Sequence, residues 1–191
     1  MEVNEPEQNA MQKGLTDRWV QWQPPLVGWR VLNTDGAVKG VIGPAGAGGV
    51  IRDDNGQWVM GFSEYLSHCT AVKAELHAAL RGLQFAKAAC IQKLWLQMDS
   101  TVVVDMLTRV KPWHTEFSSL LHQCHNLLNW EGWEVKVTHC YREANRVADK
   151  LAQMGLTGQL GAITYQTPPR ETQEALYADT MGVSWPRHFS T

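Results

Sequence analysis

The hydrophobic period of this chain changes near Thr70, and that change restricts the fold more than any other feature. Before it, short apolar runs alternate with turn residues. Trp29-Arg30-Val31-Leu32-Asn33-Thr34-Asp35 predicts a strand ending in an acid, and a glycine-rich stretch follows (Gly40, Gly43, Gly46, Gly48, Gly49). Gly49-Val50-Ile51-Arg52 and Trp58-Val59-Met60-Gly61-Phe62-Ser63 predict two more strands. Asp53-Asp54-Asn55-Gly56 joins them, because Asn-Gly accepts the positive φ of a tight hairpin turn. Three strands with short connections make an antiparallel meander. From Thr70 to Ala89 the apolar residues fall at Val72, Leu76, Ala79, Leu80, Leu83 and Ala86, which is helical spacing.

Strand and helix signals then alternate. Leu94-Trp95-Leu96-Gln97-Met98 reads as a strand leading to Asp99, and Val102, Val103, Met106 and Leu107 as a short helix. Pro112 breaks the chain. Phe117, Leu120, Leu121, Cys124, Leu127 and Leu128 form an amphipathic helix with Thr115 as a candidate N-cap. Trp133–Val137 is a strand, and Glu143 to Met154 a last helix stopped by Gly155. The order β-β-β-α-β-α-α-β-α predicts an α/β fold. Its sheet is five-stranded and mixed, three antiparallel meander strands plus two further strands, with helices on both faces. Residues 1–25 read as a flexible polar leader ending at Pro24-Pro25, with Trp19 and Trp22 as a short docking segment. Residues 26–156 read as the folded domain and 157–191 as a tail.

Composition narrows the function classes. The formal net charge of -2 excludes a protein that coats nucleic acid by charge alone. No run of eighteen apolar residues predicts a membrane span, and the acidic start MEVNEPEQNA is not a secretory signal. The expected setting is intracellular, nuclear or cytoplasmic, and reducing. The four cysteines, Cys69, Cys90, Cys124 and Cys140, form no C-x-x-C pair, which argues against zinc. Cys90 and Cys124 lie in apolar helical patterns and read as buried thiols.

The acids carry the chemistry. Asp35 and Asp99 end two strands, and ligands of α/β sheets collect outside such ends. Glu75 and Asp149 border the apolar stripes of two helices, beside Leu76 and beside Val147-Ala148 and Leu151-Ala152. A lone Asp before a helix is usually a cap, so Asp99 before Ser100 is weak evidence by itself. Four such acids in this element order are stronger. Clustered carboxylates raise one another's pKa, and cations relieve that. Oxygen-only ligands select Mg²⁺ or Mn²⁺. Two ions about 4 Å apart suit phosphodiester hydrolysis.

The stretches NTDGA (33–37), TAVKAELHAAL (70–80), LQMDSTVVVDML (96–107) and THCYREANRVADKLA (138–152) resemble the four acidic blocks of type 1 ribonucleases H. The resemblance is greatest to the plant reverse-transcriptase-like branch, found in retroelements and stand-alone proteins, and covers about residues 26 to 156. It implies an RNase H-like fold and a metal-dependent endonuclease that cuts the RNA strand of RNA/DNA hybrids. Asp35, Glu75, Asp99 and Asp149 would be catalytic and hold two Mg²⁺ or Mn²⁺ ions. His139 would move protons or release product. Gly36, where backbone can approach a ligand closely, Asn145 and Thr70 would contact substrate, Thr70 either gripping a DNA phosphate or capping its helix.

Departures weigh the other way. Ala71 and Val72 stand where many members carry asparagines that read the hybrid's minor groove. The link Arg109-Val110-Lys111-Pro112-Trp113 replaces a basic handle, with Trp113 either near the substrate or in the core. The alternative reading is therefore a catalytically weak or inactive hybrid-binding module derived from a retroelement. Integrases, resolvases and proofreading exonucleases share the fold, but the run His139-x5-Asn145-x3-Asp149 favours ribonuclease H. The expected partner is RNA/DNA hybrid rather than membrane, with the terminal segments open to a protein partner.

Overall fold

The computed structural model describes residues 18–109, 114–158 and 161–187. In chain order its elements are β1 (Arg18–Val20), β2 (Arg30–Val38), β3 (Gly43–Arg52), β4 (Trp58–Cys69), α1 (Ala71–Ala88), β5 (Lys93–Met98), α2 (Thr101–Thr108), α3 (Ser118–Leu128), β6 (Glu134–His139), α4 (Arg146–Gly155), β7 (Gly161–Tyr165), α5 (Gln173–Thr180) and β8 (Trp185–Arg187). The main sheet has six strands in the order β6-β5-β2-β3-β4-β7, and β1 and β8 form a separate antiparallel pair. The meander β2-β3-β4 is antiparallel, while β5 and β6 run parallel to β2. The expected α/β architecture is present, with one strand more than the five expected. That strand, β7, pairs with β4. Among the described residues, no helix is long and apolar enough to cross a membrane.

The larger core lies between the sheet and α1, α2 and α3. Leu76, Ala79, Leu80, Leu83 and Ala86 of α1 are all buried there, against Leu32, Ile51, Leu94, Leu96 and Met98 of the sheet. The helical spacing read from the sequence is thus the buried face of α1, and each such leucine contributes about 1.5–3 kcal/mol by leaving water. Thr70 caps α1, its Oγ1 accepting from the Lys73 backbone N–H at 3.4 Å. The opposite face is covered by α4 and α5 through Val50, Val147, Leu151 and Ala175.

Several elements differ from expectation. Of the glycines read as punctuation, Gly43, Gly46, Gly48 and Gly49 lie inside β3, and Gly40 stands in the turn before it. A Cβ on Gly46 would sit 2.7 Å from the Leu156 N, and one on Gly48 2.7 Å from the Leu151 Cβ. Their bareness lets α4 rest directly on the strand, which matters for the acid that α4 carries. Residues 161–187, expected to form a tail, instead contribute β7, α5 and β8. In the expected leader, Val20 and Trp22 are buried, whereas Trp19 is exposed. Thr115 opens a 3-10 turn (Thr115–Phe117) and is not the α3 N-cap, a place taken by Phe117. Trp113 lies outside the described residues.

Cys124 is buried as expected, but Cys90 is exposed. The helix stops at Ala88, the Cys90 N–H bonds to the Lys87 carbonyl, and the Ile91 N–H to that of Ala86. This is a Schellman ending. It needs a left-handed residue at Cys90, whose φ is +55°. A side chain there costs about 1 kcal/mol. Cys90→Gly should therefore raise stability by about 0.5–1 kcal/mol, read as a higher midpoint in thermal unfolding followed by circular dichroism. A lower midpoint would contradict the helix ending described.

Candidate active site

Strand register brings the first two acids together. The parallel pairing of β2 with β5 runs from Arg30 opposite Leu94 to Thr34 opposite Met98. One residue beyond Thr34 and Met98 stand Asp35 and Asp99. Asp35 is not the end of its strand, because β2 continues to Val38 along β3. It lies where β5 has stopped, so its β5 side is open to a ligand. Asp99 does not cap α2: Ser100 does, its Oγ accepting from the Val103 N–H at 3.4 Å. The capping role that weakened the case for Asp99 belongs to its neighbour.

Glu75 arrives from α1 because Gly36 lets the helix approach. A Cβ at Gly36 would overlap the backbone of α1, falling 2.6 Å from the Ala74 carbonyl carbon. Carboxylate oxygens of Asp35, Glu75 and Asp99 all lie within 4.8 Å of one another. Asp35 is 2% exposed and Glu75 7%. Burial pushes the Asp35 carboxyl up to about 8, helped by the charges of Asp99 and Asp149. Burial also holds Glu75 well above the carboxylate range, with Asp35 and Asp99 adding to it. The hydrogen bond between the two favours the proton on Glu75 and the charge on Asp35. Asp99 is raised as well, chiefly by burial, while Arg142 opposes the shift. The Arg142 Nε lies 3.5 Å from the Asp99 Oδ2.

Asp149 does not join this trio of oxygens. It is half-buried on α4, and its Oδ2 accepts from the Gln153 Nε2 at 2.7 Å, one turn along the same helix. It borders the trio closely enough to raise Asp35 and Asp99. His139 is the last residue of β6, paired with Met98, and therefore stands beside the strand end that presents Asp99. Its ring meets that of Tyr141 edge-on, with centroids 5.4 Å apart. Asn145 is 1% exposed, and its Nδ2 donates to the Thr34 carbonyl at 3.0 Å. The Asp149 N–H in turn bonds to the Asn145 carbonyl at 3.0 Å. Asn145 thus ties the first turn of α4 to β2 next to Asp35.

Two groups near the acids were not singled out by the sequence. One is Arg142, in a 3-10 turn (Arg142–Ala144) just before α4. The other is Cys140, whose N–H bonds to the Met98 carbonyl at 2.9 Å. Burial and the three clustered acids push its thiol up, so it stays protonated. Their place in the THCYREANRVADKLA block, within three residues of His139, was the available signal.

A hard cation fits this donor set. The three ligands are oxygens, two of them buried, and the Glu75 Oε2 is buried without a hydrogen-bond partner. Three carboxylates so close cannot all ionise in a dry setting unless positive charge enters.

Comparison with known proteins agrees with this arrangement. The reverse transcriptase-like family matches residues 33–155, which hold all four acids. The chain belongs to that family. A protein of Arabidopsis thaliana named as a ribonuclease H protein is 40% identical to this reverse transcriptase-like chain over 172 residues. The match takes in 90% of this chain and 27% of that relative, so the chain spans only part of the relative's length. Among solved structures, ribonuclease H1 of Halobacterium salinarum is similar with a TM-score of 0.63 and 27% identity, over 67% of this chain and 97% of that one. A ribonuclease H1 obtained from compost, in its complex with an RNA/DNA hybrid, is similar with a TM-score of 0.62 and 25% identity, over 66% and 96% of the two chains. The fold of this reverse transcriptase-like protein is that of the type 1 ribonucleases H.

Proposed function

We propose that this chain is an endonuclease that hydrolyses the RNA strand of RNA/DNA hybrids with two divalent metal ions. The observation that carries the proposal is the convergence of Asp35, Glu75 and Asp99 from β2, α1 and the end of β5, with ligand oxygens within 4.8 Å of one another. Asp149, on the border of that group, would complete the set for Mg²⁺ or Mn²⁺. Such ions supply an activated water and neutralise charge on the leaving oxygen.

The chain's own residues orient and move protons. Asp35 and Glu75 must release the proton they hold for the site to bind cations, so metal affinity rises with pH through neutrality. His139, beside Asp99, is suited to carry a proton to the departing 3′-oxygen or to help product leave. Gly36 leaves its backbone open to a phosphate, and Thr70, with its hydroxyl at the start of α1, faces a DNA phosphate while capping the helix. Asn145 acts through its tie to Thr34, holding Asp149 in register with β2. At the head of α1, exposed Ala71 and half-buried Val72 offer no side-chain donor to the minor groove. Hybrid shape rather than minor-groove hydrogen bonding would then govern recognition.

A labelled RNA/DNA hybrid incubated with Mg²⁺ or Mn²⁺ tests the reading. The parent protein should cut only the RNA strand, leaving 3′-hydroxyl and 5′-phosphate ends. Asp99→Asn should lose activity by about 100- to 1,000-fold, the scale of removing one preorganised charge from a reacting centre. Binding of the hybrid without cutting at high protein concentration would point instead to the non-catalytic module. Cutting of duplex DNA alone would point to a different nuclease of the same fold.

A further inference from the structure

Beside the acidic trio lies a cavity of about 390 Å³ lined by Arg142, Glu143, Arg146, Asp149, Trp185 and Pro186. It takes Asp149 as one wall, so it is continuous with the site described above. Its other wall comes from β8, which lies beyond the residues matched by the reverse transcriptase-like family. β8 is held there by pairing with β1 and by Arg187, which stacks over Tyr141 at 4.0 Å and approaches Glu143 at 3.9 Å.

The chemistry of the lining points to one kind of ligand. The Arg146 guanidinium lies 3.9 Å over the Trp185 ring. The Trp185 Nε1 is buried and has no hydrogen-bond partner, a donor with no use inside the protein. Of the two acids of the cavity, Asp149 accepts from Gln153, while the Glu143 Oε2 lies 3.9 Å from the Arg187 Nη1 and accepts no hydrogen bond. Arg142 is shared with Asp99 at 3.5 Å, yet its side chain is 78% exposed. Arg146 also feels the charge of Asp179, whose bonded partner is Arg52. Two guanidinium groups, an indole N–H and an aromatic edge form a surface for a phosphodiester and its ribose.

We propose that Arg142, Arg146 and Trp185 form a subsite that grips the strand being cut, at a phosphodiester neighbouring the one held by the acids. The proposal rests on the nuclease reading for its choice of strand. It gives the C-terminal segment a share in substrate binding and helps a chain of net charge -2 hold a polyanion.

The test is equilibrium binding of a fluorescent RNA/DNA hybrid by anisotropy over a range of salt concentrations, together with single-turnover cleavage at saturating protein. Arg146→Gln should weaken binding by about 5- to 20-fold and lower the slope of log affinity against log salt by about 1, the signature of one lost phosphate contact. Trp185→Phe, which keeps a ring and deletes the N–H, should weaken binding by about 3-fold. The cleavage rate of bound hybrid should change little in both. Lys93→Gln, at the far end of β5, removes the same charge and should leave the slope alone. Should Arg146→Gln unfold, the exposed Arg142→Gln carries the same slope measurement. An unchanged salt slope in a folded arginine variant, or an equal change in Lys93→Gln, overturns the subsite. A parent protein that binds hybrid without cutting it removes the nuclease reading and leaves the subsite to be decided by the slopes. A parent protein that binds no hybrid removes both.

Discussion

An Asp35→Asn variant should melt at a higher temperature than the parent protein in metal-free buffer at pH 7.5, and it should cut no hybrid. The carboxyl of Asp35 rises from an ordinary 3.8 to about 8 on folding, first by burial and then by the charges of Asp99 and Asp149. Between those values the folded chain holds a proton that the unfolded chain has released. Stability must then fall as pH rises through that window. At pH 7.5 most of the penalty is in force, and an amide of the same shape does not incur it. One pKa unit corresponds to about 1.4 kcal/mol, but Glu75 and Asp99 share the strain, so we expect a gain of about 1–3 kcal/mol. In a chain of this length that is roughly 3–8 °C. The parent's melting temperature should decline from pH 5 to pH 8, and the variant's decline should be shallower. Mn²⁺ should raise the parent's melting temperature more at pH 8 than at pH 6, because cation binding needs the acids deprotonated. It should do little for the variant. A flat pH profile in the parent, or a variant that melts lower, would mean that the three acids do not share a dry site.

That conflict between stability and charge is also why the acids could be read from the sequence. A polar residue beside a buried stripe breaks the local pattern, as Glu75 does next to Leu76 and Asp149 next to Val147 and Ala148. The period of a strand or helix depends on neighbours within a turn, so α1, β5 and the meander were legible. What was not legible depends on distant partners. Gly46 and Gly48 look like turn residues, yet they are strand residues because α4, about a hundred positions later, lies on them. Asp99 and Ser100 could each have capped α2, and only the geometry assigns the cap to Ser100. Asp149 was expected to converge with the other acids. Its carboxylate borders the trio and accepts from Gln153, one turn further along, and nothing in the helical period marks that pairing. Cys90 fits the apolar pattern of α1 but lies past its end, where the chain has turned left-handed. Trp22 sat in a polar segment, and the partners that bury it are distant: Val31 and Ala144 pack with it, and Arg52, a charged residue at the end of a strand, lies over its ring.

Asp179→Ala should be strongly destabilising, and the reason is that same Arg52. The Arg52 side chain is 1% exposed, among the most fully buried large side chains of the protein. Its Nη1 donates to the Asp179 Oδ2 at 2.7 Å across 127 residues of sequence, its Nη2 to the Asn33 Oδ1 at 2.8 Å, and its guanidinium lies 3.7 Å over the Trp22 ring. Burial disfavours both ions: it lowers the pKa of Arg52 and raises that of Asp179, and their attraction recovers only part of the loss. Such a pair adds little net stability, yet removing one member strands a charge in a dry interior, at about 3–5 kcal/mol. Asp179 lies on α5, so the loss would also loosen α5 on the sheet. Asp179→Ala should lower the melting temperature by roughly 10 °C. Adding Arg52→Met to it should recover much of that loss, because the stranded charge is then gone. A double variant no more stable than Asp179→Ala would mean that the damage comes from the packing of α5 and not from the buried charge. An Asp179→Ala protein as stable as its parent would mean that the C-terminal segment is not fastened to the sheet through Arg52.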